Sequence, residues 1–297
     1  MSTRCGFIAI IGAPNAGKST LLNRLTGAKV SIVTPKAQTT RARVLGILMR
    51  GESQILLVDT PGIFAPKRRL DRAMVAAAWT GADEADLALL LIDAKSGLTS
   101  GVKDIATRLA ATGRKMALVL NKVDLVPRHS LLPLTEQLAK LAIFENVFMI
   151  SATTGDGINE LLDYCAAALP EGPYLYPEEN LTDLPDRLLA AEIVREQIFL
   201  QTRDEVPYGA TVETESFKTQ KNGVRIEAII YVAHARHKAI LIGAGGARIK
   251  DIGARARKEL AVLLDCPVHL FLHVKERPGW DEEAARIRAT GLNDPTV

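Results

Sequence analysis

The stretch from Gly12 to Thr20, GAPNAGKST, joins residue types and spacing that suit one task, the holding of a polyphosphate. Gly12, Gly17, Lys18 and Ser19 fit the pattern GxxxxGK[ST]. Glycines let a backbone wrap phosphates with its N–H groups turned inward, and the helix that follows adds partial positive charge at its N-terminus. Ala13, Pro14, Asn15 and Ala16 form the turn, Lys18 is spaced to reach the β and γ phosphates, and Ser19, followed by Thr20, offers a hydroxyl to Mg²⁺. This loop alone is compatible with an ATPase, a kinase or a GTPase.

Later motifs narrow the choice. In VDTPG, Asp59 can bind a magnesium-coordinated water, while Thr60 and Pro61 lead to Gly62, whose N–H can meet a γ-phosphate, and to Ile63. NKVD supplies Asn121, Lys122, Val123 and Asp124. A carboxylate there accepts two hydrogen bonds from guanine, through N1–H and the exocyclic amine, a pair that adenine lacks. Sites built around particular N–H donors reject the analogue without them by large factors, so GTP is expected over ATP. SAT, Ser151, Ala152 and Thr153, places the N–H of Ala152 where the guanine O6 could meet it.

A second glycine turn, GAGG from Gly243 to Gly246, does a different job. It does not satisfy GxGxxG, because the place of the third glycine is Arg248, so a dinucleotide site is disfavoured. Between Arg236 and Lys258, seven basic residues face Asp251 alone, a local charge of +6 in a chain whose formal net charge is only +3. That concentration suits a polyanion.

The elements that must position these residues are legible from periodicity. GFIAIIG, ARVLGILMR, QILLVDT, LALLLID, MALVLNK and NVFMIS read as strands that are continuously apolar, as expected of a sheet covered on both faces. Helical patterns alternate with them, and the nucleotide motifs fall at strand C-terminal ends, where α/β ligands bind. Only GES separates the second strand from the third, which predicts an antiparallel hairpin. The fold expected for residues 1–170 is therefore a doubly wound α/β sheet with one antiparallel strand. Residues 171–186 lie in a stretch rich in proline and acid, read as an extended linker. Residues 187–297 follow the order α-β-β-α-α-β, an α+β unit whose sheet is wet on one face. No apolar run reaches the roughly 18 residues of a membrane span. Cys5, Cys165 and Cys266 form no CxxC, against a disulfide framework or a zinc site.

With four motifs in this order, the first half resembles the translation-factor-like P-loop GTPases. The resemblance implies that QTTR, Gln38 to Arg41, is the switch, with Thr40 completing magnesium coordination; Thr39 is the rival, and spacing does not separate them. Many such GTPases carry a water-orienting glutamine where this chain has Ile63. The chain is similar to the subgroup with a hydrophobic residue there, which implies a K⁺ ion coordinated partly by Asn15. Lys18, Asn15, Thr40 and Gly62 are thus the candidate catalytic residues. Lys67, Arg68 and Arg69, close behind DTPG, are expected to be mobile switch residues or RNA contacts rather than an arginine finger.

The second half resembles a type II KH domain, in which a GxxG turn clamps the backbone of about four single-stranded nucleotides. Lys238, Gly243, Ala244, Gly245, Gly246, Arg248 and Lys250 are then the expected RNA contacts, with Ile240, Ile242, Ile249 and Ile252 as candidates to pack under bases. Taken together, the two halves are similar over nearly the whole chain to the Era family of bacterial ribosome-assembly GTPases. That resemblance implies GTP and GDP as ligands, binding to the 3′ end of 16S ribosomal RNA and action in 30S subunit maturation. It also implies peripheral contact with the inner membrane. A cytoplasmic monomer is expected.

Overall fold

The computed structural model describes residues 2–293; residue 1 and residues 294–297, the outer ends of the two domains expected above, lie outside the described residues. The chain forms two compact units.

The first unit holds the chain up to Ser31, Thr40–Lys67 and Asp71–Asp183. Its six-stranded sheet is built from β1 (Arg4–Ile11), β2 (Val44–Arg50), β3 (Ser53–Asp59), β4 (Leu87–Asp93), β5 (Met116–Asn121) and β6 (Val147–Met149), in the order β2-β3-β1-β4-β5-β6. β2 runs antiparallel to β3, and the other neighbours are parallel. Strand alternation divides the apolar residues between two cores. Ile8 and Ile10 of β1 join Leu21 and Leu22 of α1 (Lys18–Thr26) and Leu161 of α5 (Ile158–Ala168). Ala9 and Ile11 face Ala82 of α2 (Arg69–Glu84), Ile105 of α3 (Ser100–Ala111) and Leu138 of α4 (Leu131–Ala139). Each fully buried leucine or isoleucine contributes about 1.5–3 kcal/mol, so the sheet's rim can carry polar, unpaired groups without loss of the fold.

Between α5 and Asp186, where the next helix begins, the proline-rich stretch forms no helix, turns where Asn180 N–H donates to Pro177 O, and is fastened. Ile47 N–H donates to Leu181 O at 2.9 Å, and Gly46 bridges Thr182 antiparallel, so the segment lies along the open edge of β2. Gln54, fully buried, donates from Nε2 to Tyr176 O at 2.7 Å and accepts at Oε1 from the N–H groups of Leu175 and Tyr176 at 2.9 and 3.1 Å. Residues through Asp183 consequently belong to the first unit. Composition describes what a segment can form alone, and a single buried amide on a neighbouring strand changes what it can dock on.

The second unit holds Ile32–Thr39, Arg68–Leu70 and the chain from Leu184 onward. α6 (Asp186–Gln201), α7 (Ala235–Ile242) and α8 (Ala247–Leu263) cover one face of a sheet of β7 (Ala210–Gln220), β8 (Gly223–Val232) and β9 (Val268–Glu276). β7 and β8 are antiparallel and β8 and β9 parallel, which gives the expected order α-β-β-α-α-β. One element escapes the sequence: α9 (Ala284–Ala289), six residues long, too short for a periodic signal. The fully buried Trp280 just before it donates from its indole to Gly209 O at 3.1 Å. Among the described residues, no helix is long and apolar enough to cross a membrane.

Candidate functional site

The first glycine loop sits between β1 and α1, at the C-terminal rim of the sheet. Gly17 adopts φ 99°, and a Cβ there would fall 2.3 Å from Asn121 Nδ2, so a side chain would be strained and would displace that amide. Lys18 is buried, and its ammonium donates to the carbonyls of Gly12 at 3.1 Å and Ala13 at 3.0 Å. Burial lowers its pKa to about 8, against the opposing pull of Asp59. A buried amine so placed favours a nearby anion.

Asp59, at the end of β3, is fully buried. Its Oδ2 accepts from Ser19 Oγ at 2.7 Å, Ser31 Oγ at 3.0 Å and Thr40 Oγ1 at 3.2 Å, while Oδ1 is buried with no hydrogen-bond partner. Burial pushes the carboxyl pKa up, although Lys18 and the three hydroxyls pull it down. A buried carboxylate with an orphan oxygen, beside two alcohol oxygens, is a donor set that fits a hard divalent cation and its bound water. The threonines separate here. Thr40 Oγ1 lies 2.7 Å from Ser19 Oγ, whereas Thr39 Oγ1 is turned to Thr34 Oγ1 at 2.7 Å and Lys36 O at 2.8 Å.

The loop after β3 closes over the first loop: Ile63 N–H donates to Gly12 O at 3.2 Å, and a Cβ on Gly62 would fall 2.9 Å from Pro14. Thr60, expected near the nucleotide, turns its hydroxyl into the sheet, to Ile10 O at 2.9 Å.

The NKVD motif ends β5 on the same rim. Asn121 donates to Ala16 O at 2.8 Å, and Lys122 donates to Asn15 O and Asp93 Oδ2, both at 2.7 Å. Val123 packs partly into the core, whereas Asp124 is exposed. One expectation needs correction: the N–H of Ala152, offered above to a guanine O6, donates to Asn121 Oδ1 at 3.0 Å in a buried bond. The asparagine thereby ties the first loop to the SAT loop, and that amide is already used. Ser151, buried, accepts from Thr154 N–H at 3.1 Å.

Asn23, Arg24, Ser31 and Asp93 brace the residues around this site and are not among the expected residues. Arg24 of α1 donates to Ala152 O at 3.0 Å and also to Thr153 O, holding the SAT loop from the far side. Asp93 was detectable, because it ends a strand on the rim that carries the other motifs. Asn23 and Ser31 carry no spacing signal.

Arg68 and Arg69 also depart from expectation. Within the second unit, Arg68 reaches Asp281 at 3.3 Å and Tyr208 O at 3.4 Å, and Arg69 N–H donates to Glu282 Oε1 at 3.0 Å. The Arg68 guanidinium thus meets a carboxylate, whereas that of Arg69 donates to the main-chain carbonyl of Glu282 at 3.2 Å.

The second glycine turn joins α7 to α8. Gly243, Gly245 and Gly246 have φ of 72°, 56° and 81°, left-handed values that side chains rarely adopt. Space around Gly245 and Gly246 is open, so ligand backbone can approach closely. Gly246 begins the 17-residue α8 with no side-chain cap, which leaves its first N–H groups and the positive end of its dipole beside the turn. Ala244 and Lys250 are exposed and Lys238 is half-buried. Arg248, exposed, holds Ile240 O at 2.7 Å. Ile252 is fully buried and belongs to the core, not to a base-contacting groove; Ile240 and Ile249 are half-buried against the same core.

Comparison with known proteins agrees with the two folds. Residues 7–122 match the family described as 50S ribosome-binding GTPase, and residues 205–281 match the KH domain. The chain is 53% identical over 294 residues to the GTPase Era of Afipia carboxidovorans, covering 99% of this chain and 96% of that protein. It is likewise 53% identical over 294 residues to the GTPase Era of Rhizobium meliloti, covering 99% and 94%. Crystal structures of Aquifex aeolicus Era with GDP and AlF4⁻, and of Era with MgGDPNP and nucleotides 1506–1542 of 16S ribosomal RNA, each superpose with a TM-score of 0.93. Each is 42% identical and covers 97% of this chain and 99% of its own. A P-loop with its companion motifs on one rim, a GxxG turn in a KH fold and identity sustained from end to end point one way: the chain belongs to the Era family of GTPases.

Proposed function

We propose that this GTPase times the binding of single-stranded ribosomal RNA, the 3′ end of 16S RNA, during 30S subunit maturation. In this reading residues 1–170 form the nucleotide switch, 187–297 the RNA grip, and 171–186 the connection. The observation that carries the reading is the presence of two phosphate cradles of different build. One is a buried loop with Lys18 and an orphan carboxylate oxygen; the other is an open left-handed turn at an uncapped helix end. The first suits a compact triphosphate, the second a chain backbone that passes through.

Gly12 to Thr20 would enclose the phosphates, Lys18 neutralising the β and γ groups, and Asp124 would select guanine. Ser19 and Thr40 would hold Mg²⁺, with Asp59 behind its bound water, and the ion would offset charge between the phosphates. The N–H of Gly62 would sense the γ-phosphate and hold attacking water close to it. Lys238, Arg248 and Lys250 would give the salt-dependent, sequence-independent part of RNA affinity. Crosslinking of the GTP-bound protein to ribosomal RNA, followed by mapping, is expected to place the contacts at the 3′ end of 16S RNA. Contacts elsewhere would overturn the assignment.

The same reading extends to K⁺. Asn15 sits at φ 64° at the tip of the first loop with an exposed side chain, free to face a cation near the phosphates, and Ile63 supplies no water-orienting group. Slow turnover that is faster in K⁺ than in Na⁺ is expected, with the difference lost in Asn15→Ala. Equal rates in both salts in the unsubstituted protein would remove the idea.

A further inference from the structure

The start of the segment that leads to QTTR is pinned by a residue that belongs to none of the recognised motifs. Asn23, on α1, donates from Nδ2 to Ser31 O at 2.7 Å. Its Oδ1 accepts from the N–H groups of Val30 at 3.0 Å and Ser31 at 2.9 Å. Three bonds from one amide fix the backbone at Ser31. Immediately beyond it, residues 32–39 group with the second unit, and at Thr40 the chain returns to the first. Ser31 is therefore the last residue of the first unit before that segment.

What this fixed point holds is the Asp59 carboxylate. Ser31 is 4% exposed, and its hydroxyl donates to Oδ2 at 3.0 Å. Ser19 and Thr40 reach the same oxygen, but they also bond one another at 2.7 Å, and they are the oxygens suited to a cation. A hydroxyl that lends its oxygen to a metal is drawn toward that metal. Ser31, tethered to α1 through Asn23, is the donor whose position does not depend on one.

We propose that Ser31 is a positioning residue: its hydroxyl holds the Asp59 carboxylate in the orientation that faces Ser19 and Thr40, and so the position these two hydroxyls would give Mg²⁺. Side chains that orient metal-site groups typically change metal affinity by about 10- to 100-fold when removed. The inference rests on the magnesium position proposed above, and the two are separable by experiment.

The measurement is release of a fluorescent GDP analogue from the full chain over a titration of Mg²⁺, with affinity in excess chelator measured alongside. Ser31→Ala is expected to raise the half-saturating Mg²⁺ about tenfold while leaving affinity in chelator unchanged, and Ser31→Thr, which keeps the hydroxyl, to restore the low requirement. Ser19→Ala tests the metal position itself. If Ser19→Ala raises the requirement and Ser31→Ala does not, the inference is overturned and the metal position stands. If neither raises it, the metal position is wrong and the inference falls with it. Equal loss of affinity with and without Mg²⁺ in Ser31→Ala would show a merely structural role, which also overturns the proposal. So would a threonine variant that binds normally in chelator yet keeps the high requirement.

Discussion

Asp124→Asn is expected to lower affinity for GTP and GDP by roughly 100- to 1,000-fold and to raise affinity for the xanthine nucleotides. The carboxylate can accept from both N1–H and the exocyclic amine of guanine. Asparagine keeps one acceptor and turns an N–H donor toward the other guanine donor, so one hydrogen bond is lost and two donors oppose each other. Xanthine carries a carbonyl where guanine carries the amine, which restores the complementary pair. Because Asp124 is exposed in the short turn Val123–Leu125, folding stability is expected to change by no more than about 0.5 kcal/mol. Equilibrium titration with fluorescent GDP and XDP reads the exchange of preference. An unchanged GDP affinity, or an equal loss for both bases, would show that the carboxylate does not read the base.

Gly246→Asp is expected to weaken binding of single-stranded RNA by at least about 100-fold, because it places a negative charge where phosphates must approach main-chain N–H groups. The substitution is a clean probe for structural reasons. No atom lies within 4 Å of a Cβ built on Gly246, so the cost is confined to the backbone conformation at φ 81°. Aspartate tolerates that region better than most residues. GTP affinity is expected to remain as in the unsubstituted chain, since the nucleotide loop lies in the first unit and Gly246 in the second, and an unchanged thermal unfolding profile shows that the second unit is folded. Gly246→Ala, which adds bulk without charge, is expected to weaken RNA binding less. Undiminished RNA affinity in the aspartate variant, read by a filter or fluorescence assay at fixed salt, would rule out the GAGG turn as the grip. The two substitutions act on different ligands, so their effects also separate the two cradles.

Much of this was visible before any fold was known. Continuous apolar strands predict a sheet buried on both faces, and the two cores, one on each side, are the result. The three residues GES between apolar runs predict the antiparallel β2 and β3 pair. The glycines of both loops announce left-handed turns, because glycine alone enters that region freely. In each case the relevant physics acts over a few neighbouring residues, and local spacing suffices to express it.

Contacts between distant residues are different in kind. Asn121 meets Ala16 across 105 residues, and Gln54 meets Tyr176 across 122. Nothing in either segment records the other. The place of Ala152 just after a strand suggests a ligand for its amide, and nothing nearby in sequence announces the Asn121 oxygen that meets it. Arg68 and Arg69 looked free in sequence, since Asp281 and Glu282 lie more than two hundred positions away.

The sequence by itself determined the order of the motifs, the rim on which they gather, the two kinds of phosphate cradle and the enzyme family they imply, since these follow from residue chemistry and short-range periodicity. Tertiary structure alone decided that Thr40 and not Thr39 stands beside Ser19 and Asp59, and that Asn23 holds Ser31, whose hydroxyl meets the same carboxylate. Adjacent residues with the same side chain offer identical chemistry. Which hydroxyl is used depends on the direction each faces once the chain has been closed around Asp59.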